Sequence, residues 1–152
     1  MGSDLPPGKK EQSPTFLVSA ARDPGTRARP GTLLQRAQIV KAWVGPDGEF
    51  QQAIYDVAGN PENEASVDLE TCETSGEGAT QLCGVWKDPD FDPTTAAVYY
   101  ARILENPSCR WSSWQCLRFP PEQRPAACAD ESLPRILQER AWTSPIWHTP
   151  VG

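Results

Sequence analysis

Short apolar runs separated by turn sequences recur along the first half of the chain. Residues 15–20 (TFLVSA) are rich in β-prone side chains and are followed by a Pro24-Gly25 turn. Residues 36–44 (RAQIVKAWV) and 49–57 (EFQQAIYDV) flank a GPDG turn, in which Asp47-Gly48 supplies the positive φ angles of a tight hairpin. The pattern therefore predicts one strand followed by a two-stranded β-hairpin.

The strand predicted over residues 36–44 is apolar on both sides. Ile39 and Trp43 fall on one face, whereas Val40, Ala42 and Val44 fall on the other. A strand with one solvated face alternates apolar and polar residues, and this one does not. We therefore expect it to be covered on both sides.

The second half of the chain is richer in loops. A long polar connection over residues 58–93 leads to an aromatic strand candidate over 96–106 (AAVYYARILEN). Residues 135–142 predict either a helical turn or the start of a last strand over 141–149, where Pro145 indicates an edge or a bulge. Taken together, these elements predict a mainly β, loop-rich, sandwich-like module of about five to seven strands, with at most one short helix near the C-terminus.

Length and charge narrow the class of protein. The 152 residues suffice for one domain, which we place at 15–150, and residues 1–14 predict a flexible linker or a remnant of cloning without a signal peptide. The formal net charge is −6 and no basic stripe occurs, which argues against nucleic-acid binding. No apolar run approaches the roughly 20 residues that span a bilayer.

The cysteine spacing favours disulfides over a metal or redox site. None of the five cysteines forms a C-x-x-C pair, and the chain has a single histidine, so a zinc site and a thioredoxin-type site are both poorly supported. The simplest arrangement is two local disulfides, Cys72–Cys83 and Cys109–Cys116, with Cys128 left over as a free thiol or an intermolecular partner. Disulfides imply an oxidising compartment.

Three aspartates at alternate positions resemble the start of a calcium loop. An EF-hand that begins with Asp88, Asp90 and Asp92 requires glycine at its sixth position and glutamate at its twelfth, where this chain has Pro93 and Tyr99. We therefore expect a solvated, proline-stiffened turn, with an irregular calcium site as the alternative.

Two further features have a functional and a structural interpretation. His148 has no second histidine to work with, so we expect an exposed residue near the C-terminus. Aromatic side chains in a small sandwich are usually core or interface, but they also build sugar-stacking platforms. The candidates for such a platform are Trp111, Trp114, Trp142 and Trp147.

Four residues on or after the aromatic strand are candidates for an interface or for shaping a neighbouring site. They are Arg102, Glu105, Arg110 and Trp111. A charge on an apolar strand needs a partner, so a structural ion pair of Arg102 or Arg110 with Glu105 or Glu139 is the simplest expectation. Contact with a neighbouring domain is the alternative.

Seven phrases along the chain carry a family resemblance. They are SAARDPGT, LQRAQIVKAWV, DGEFQQAIYDVAG, SVDLETC, LCGVWKDPDFDP, YYARILENPSCRWS and QERAWTSPIWHTP. Between about Phe16 and Pro150 the chain resembles the C-terminal part of a bacterial family, domain of unknown function 3604. Its full-length members resemble PHP-type (polymerase and histidinol phosphatase) metal-dependent phosphoesterases, are several times longer and often look exported.

The resemblance implies a function for the chain as part of a larger protein. PHP-type sites bind divalent metals through several histidines with aspartate or glutamate, all outside this C-terminal part. His148 itself stands where the family is associated with WYTP. The resemblance thus implies a non-catalytic module without a cofactor of its own, packed on a PHP-like catalytic domain that holds the metals, in the periplasm or outside the cell. The alternatives are a free-standing secreted module that binds glycans through tryptophan, or a gene remnant.

Overall fold

The computed structural model describes residues 2–5 and 12–150. In chain order the strands are β1 (Ser3–Asp4), β2 (Thr15–Ala21), β3 (Leu34–Val44), β4 (Phe50–Gly59), β5 (Ser66–Val67), β6 (Thr74–Ser75), β7 (Gln81–Lys87), β8 (Ala97–Glu105), β9 (Ser108–Cys109), β10 (Ile136–Leu137), β11 (Arg140–Trp142) and β12 (Ile146–His148). One helix, α1 (Trp111–Leu117), and two 3₁₀ turns, Pro121–Gln123 and Ala126–Ala129, lie between β9 and β10. The protein is therefore mainly β.

Six of the strands form one large sheet in the order β1-β12-β8-β3-β4, with β11 beside β12 along β8. The β3–β4 hairpin confirms the position of the predicted turn, in which Gly48 takes a φ of +82° whereas the φ of Asp47 is not positive. Glycine reaches this φ without the steric cost that a Cβ atom imposes. The single last strand predicted over residues 141–149 is divided in two: β11 and β12 both pair with β8 and are separated by residues 143–145, which include Pro145.

A two-stranded ribbon of β2 and β7 packs on one face of the large sheet and encloses the core. The rings of Phe16 and Tyr99 pack in a tilted arrangement with their centroids 4.7 Å apart, and Ile39 lies in the same cluster at 2% exposure. The ribbon crosses β4 closely, because a Cβ atom on Gly84 would lie 2.4 Å from the carbonyl oxygen of Val57. Two layers meet here, as the sandwich-like prediction requires.

Several sequence-based expectations of the chain's elements are confirmed and others are corrected. Residues 135–142 form the short strands β10 and β11 and no helical turn, whereas the α-helix of the described residues lies earlier and begins inside CRWSSWQC. The linker predicted for residues 1–14 is corrected in part: Ser3–Asp4 pairs in parallel with β12, and Leu5 N–H donates to the Trp147 carbonyl at 2.7 Å. Residues 1 and 6–11 of that segment lie outside the described residues.

The predicted disulfide pairs are wrong. The structure joins Cys72 to Cys109 and Cys116 to Cys128, with Cα–Cα distances of 5.6 and 5.8 Å, and leaves Cys83 as an exposed free thiol. Folding places β9 beside the β5–β6 loop, and α1 beside the second 3₁₀ turn, whereas Cys83 pairs with Ser19 on the ribbon. Two disulfides nevertheless indicate an oxidising, extracellular or periplasmic environment. Within residues 2–5 and 12–150, no helix is long and apolar enough to cross a membrane.

Candidate functional site

The face of the large sheet opposite the ribbon, here called the open face, is the main candidate site. Successive side chains of a strand alternate between faces, and directly paired residues share one. The register therefore places on the open face Arg36, Gln38, Val40, Ala42 and Val44 of β3, Phe50, Gln52, Ile54 and Asp56 of β4, Val98, Tyr100, Arg102 and Leu104 of β8, Arg140 and Trp142 of β11, and Trp147 of β12.

The open face carries a large exposed apolar area. Five of the exposed large hydrophobic residues lie on it, namely Val44 (58%), Phe50 (69%), Ile54 (46%), Trp142 (60%) and Trp147 (52%). Together they expose on the order of 500 Å² of side-chain surface, given that an aromatic side chain alone covers about 150–250 Å². This summed area is spread over four strands, and exposed apolar area that is concentrated on one face of a sheet marks an interaction site.

The centre of the open face is nevertheless well packed. Val40 is 1% exposed because the longer side chains of its two cross-strand partners, Ile54 and Tyr100, flank it. Ala42 is 6% exposed for the same reason, between Gln52 and Val98. The surface is thus continuous across three strands, with the larger side chains standing around a buried middle row.

A chain of polar contacts crosses one end of the open face. Arg102 donates from Nε and Nη2 to Gln38 Oε1, at 2.8 and 2.5 Å, and Gln38 Nε2 donates to Asp56 Oδ1 at 2.8 Å. Arg36 Nε lies 3.4 Å from the same carboxylate oxygen. The expected ion pair of Arg102 with Glu105 or Glu139 is therefore wrong, because a buried glutamine on the neighbouring strand holds the guanidinium.

Glu105 lies away from the open face. Burial raises the pKa of its carboxyl group, the nearby Glu139 raises that pKa further, and a hydrogen bond from Thr32 opposes both effects. Its backbone N–H donates to the Glu139 carbonyl at 3.0 Å, so the two acidic residues are neighbours on paired backbone. The structure does not bring Glu105 together with Arg102.

Arg110 and Trp111 lie in a different part of the molecule. Both line a groove of about 330 Å³ between α1 and the segment that Cys116–Cys128 ties to it. Trp111 is 63% exposed there, and the Arg110 backbone N–H donates to the Arg135 carbonyl at 2.9 Å. The four residues predicted as an interface therefore lie in three separate places. Arg102 is on the open face, Glu105 is away from it, and Arg110 and Trp111 line the groove.

The aspartates at alternate positions do not form a solvated turn as a whole. Asp88 is 2% exposed, its Oδ2 atom lies 2.7 Å from Lys41 Nζ, and it accepts a hydrogen bond from Tyr99 at 2.8 Å. Asp92 is exposed and accepts hydrogen bonds from Thr94, which lower its carboxyl pKa. Sequence reasoning missed the Lys41–Asp88 pair, although the lone lysine in an apolar strand was the signal for a buried partner.

The histidine and the tryptophans are also distributed. His148 is half-buried, not exposed as predicted, with its ring 4.9 Å from that of Phe91. Of the tryptophans predicted as a platform, Trp142 and Trp147 share the open face, whereas Trp111 and Trp114 belong to α1. Among the described residues, no three His, Cys, Asp or Glu side chains come together in a way that could hold a metal ion.

Comparison with known proteins places the chain in one family. A family model with the description "Protein of unknown function (DUF3604)" matches residues 1–150, so the chain belongs to this family. No curated protein and no solved structure matches the chain.

Proposed function

We propose that this chain is a non-catalytic accessory module that packs through its open face on the PHP-like catalytic domain of a longer, exported protein of its family. The observation that carries the proposal is the exposed apolar area of Val44, Phe50, Ile54, Trp142 and Trp147 on one face of the sheet. An apolar face of this kind gains free energy when a second layer removes it from water.

Metal chemistry is assigned to the partner domain. The described residues provide no cluster of three metal-ligating side chains. They therefore do not fit the metal site that the family resemblance implies. The module's contribution is to cover and shape the catalytic domain. We expect the purified chain to hydrolyse no phosphate ester with Mn²⁺ or Zn²⁺, and metal-dependent turnover by the chain alone contradicts the proposal.

Binding to the N-terminal region of a longer family member tests the docking. We expect Phe50→Glu and Ile54→Glu each to weaken that association at least tenfold, because each places a charge in the apolar part of the desolvated contact. The matched control is Leu17→Glu, which makes the same kind of change at a residue 70% exposed on the outward side of the ribbon. Calorimetric titration measures the affinities, and equal loss in Leu17→Glu and Phe50→Glu refutes docking through the open face.

A second candidate is glycan binding by the same face. Trp142 and Trp147 stand opposite Arg102 and Val98 of β8, so their backbones are about 13 Å apart along one side of β8, and Tyr100 of β8 lies between them. Exposed aromatic rings in a row suit stacking on sugar rings. Titration of tryptophan fluorescence with oligosaccharides separates the two functions: a saturable response that Trp142→Ala abolishes supports the glycan function, whereas a flat response leaves protein docking.

A further inference from the structure

Arginines are concentrated at one end of the open face. Arg36 and Arg140 pair with Leu104 from either side, so they stand about 10 Å apart across three strands, and Arg102 lies in the adjacent row between them. The carboxylate there among the described residues is Asp56, which already contacts Arg36 and Gln38. Three positive charges against one negative charge give the open-face side chains of this end a charge of +2, whereas Glu105 and Glu139 lie next to Leu104 and Arg140 but outside the open-face positions.

We infer that the surface that docks on the open face presents carboxylates to Arg102 and Arg140, at the edge of an otherwise apolar contact. This inference rests on the proposed function and names the chemistry of the partner surface. The occupant is the N-terminal region of a longer family member, in which an acidic cluster faces this end of the sheet.

The geometry of Arg102 favours recognition of a carboxylate. Gln38 is 5% exposed and fixes the guanidinium through Nε and Nη2, whereas Nη1 makes no hydrogen bond within the described part of the chain. A planar guanidinium that is held in place in this way loses little conformational entropy when its remaining edge binds an anionic oxygen.

Arg140 and Trp142 extend the same surface. The Arg140 side chain is exposed and makes no ion pair or hydrogen bond among the described residues. Trp142 directly opposes Arg102 on the neighbouring strand. Arginine beside exposed tryptophan is the composition that interfaces favour, and burying these arginines against a purely apolar surface leaves their charges uncompensated.

The opposite end of the open face differs in charge. Val44, Phe50 and Val98 lie there, and Asp4 of β1 pairs with Trp147 at the corner. The face is therefore polarised from an apolar end to a basic end. This polarity fixes one orientation of the partner, since reversing it places the partner's carboxylates against apolar side chains.

The test measures association rates with the N-terminal region of a longer family member by surface plasmon resonance, between 20 and 500 mM salt. We expect Arg102→Gln/Arg140→Gln to reduce the association rate constant about tenfold at low salt and to flatten its salt dependence. Arg27→Gln/Arg118→Gln is the matched control, since it removes two exposed arginines away from the open face. Arg140→Glu alone is a second variant that leaves the Arg102–Gln38 contact intact.

The outcomes separate the inference from the proposed function. A loss in both open-face variants that the control does not share supports the inference. Association that Phe50→Glu abolishes, but that salt and all arginine variants leave unchanged, overturns the inference and leaves docking standing. Absence of any association at micromolar concentrations overturns docking and, with it, the inference.

Discussion

The buried pair of Lys41 and Asp88 offers the sharpest prediction of stability. The Lys41 and Asp88 side chains are 7% and 0% exposed, and their charged atoms lie 2.7 Å apart. Lys41 Nζ also donates to the Asp90 carbonyl at 2.7 Å. We expect Lys41→Met to keep the volume and apolar stem of the residue while it removes the positive charge that balances Asp88.

The magnitude follows from what remains after the substitution. Asp88 stays buried and keeps its hydrogen bonds from Tyr99 and from the Asp90 backbone N–H, so its carboxylate is still desolvated but has no counter-charge. Removing one partner of a buried ion pair typically costs about 3–5 kcal/mol, whereas breaking an exposed pair costs at most about 1 kcal/mol. We therefore expect Lys41→Met to lower the free energy of unfolding by about 3–5 kcal/mol.

Urea unfolding followed by tryptophan fluorescence, without reductant, measures the effect. Lys87→Met is the matched control, because Lys87 is exposed on the ribbon and should lose less than 0.5 kcal/mol, roughly the limit for surface substitutions. Lys41→Met/Asp88→Asn removes both charges, so we expect it to be more stable than Lys41→Met alone. A loss below about 1 kcal/mol in Lys41→Met, or no recovery in the double variant, refutes the reasoning.

Two further predictions concern the disulfides and Glu105. Loop closure predicts that Cys72→Ser/Cys109→Ser loses about 4 kcal/mol and Cys116→Ser/Cys128→Ser about 3 kcal/mol of unfolding free energy, for separations of 37 and 12 residues, in the same urea assay. A larger loss in the second variant contradicts the ordering. Because burial raises the Glu105 pKa in the folded state, the ionised carboxylate opposes folding, and this penalty disappears as the pH falls below the unfolded pKa of about 4.3. Glu105→Gln should therefore raise the urea midpoint at pH 7 but not at pH 3.5, and an equal change at both pH values contradicts that origin.

Strands β2, β3, β4 and β8 were predictable because local sequence determines them, whereas β7 lies inside residues 58–93, which were wrongly predicted to be a polar connection. The apolar runs and the turn that ends at Gly48 each depend on residues next to one another, and both appear in the structure where expected. The short helix was misplaced for the opposite reason. The tryptophan-rich residues Trp111–Leu117 have no strong intrinsic helical preference, and tertiary contacts hold them, including the bond from Ser113 Oγ to the Arg135 carbonyl at 2.9 Å.

The disulfides and the polar contacts were not predictable from spacing. Cys72 and Cys109 meet because the β5–β6 loop lies beside β9, which is a property of the whole topology. Arg102 finds Gln38 across 64 positions because β3 and β8 are neighbours in the sheet. The sequence predicted partners among cysteines and charged residues that are close together in the chain. The actual partners are farther apart in sequence, and the folded topology brings them together.

Strand β3 links the sequence to the proposed function. Its apolar residues on both faces predicted cover on both sides, and the ribbon of β2 and β7 covers the face of Ile39. On the face of Val40, no second layer of strands is present in the described part of the chain, and the cover comes from flanking side chains that are exposed, such as Ile54, or half-buried, such as Tyr100. In an isolated module, the side chains of Val44, Phe50 and the two tryptophans on this face contribute little folding free energy, because they stay exposed to water. Their position is accounted for if another surface supplies the second layer, which is the physical content of the docking proposal.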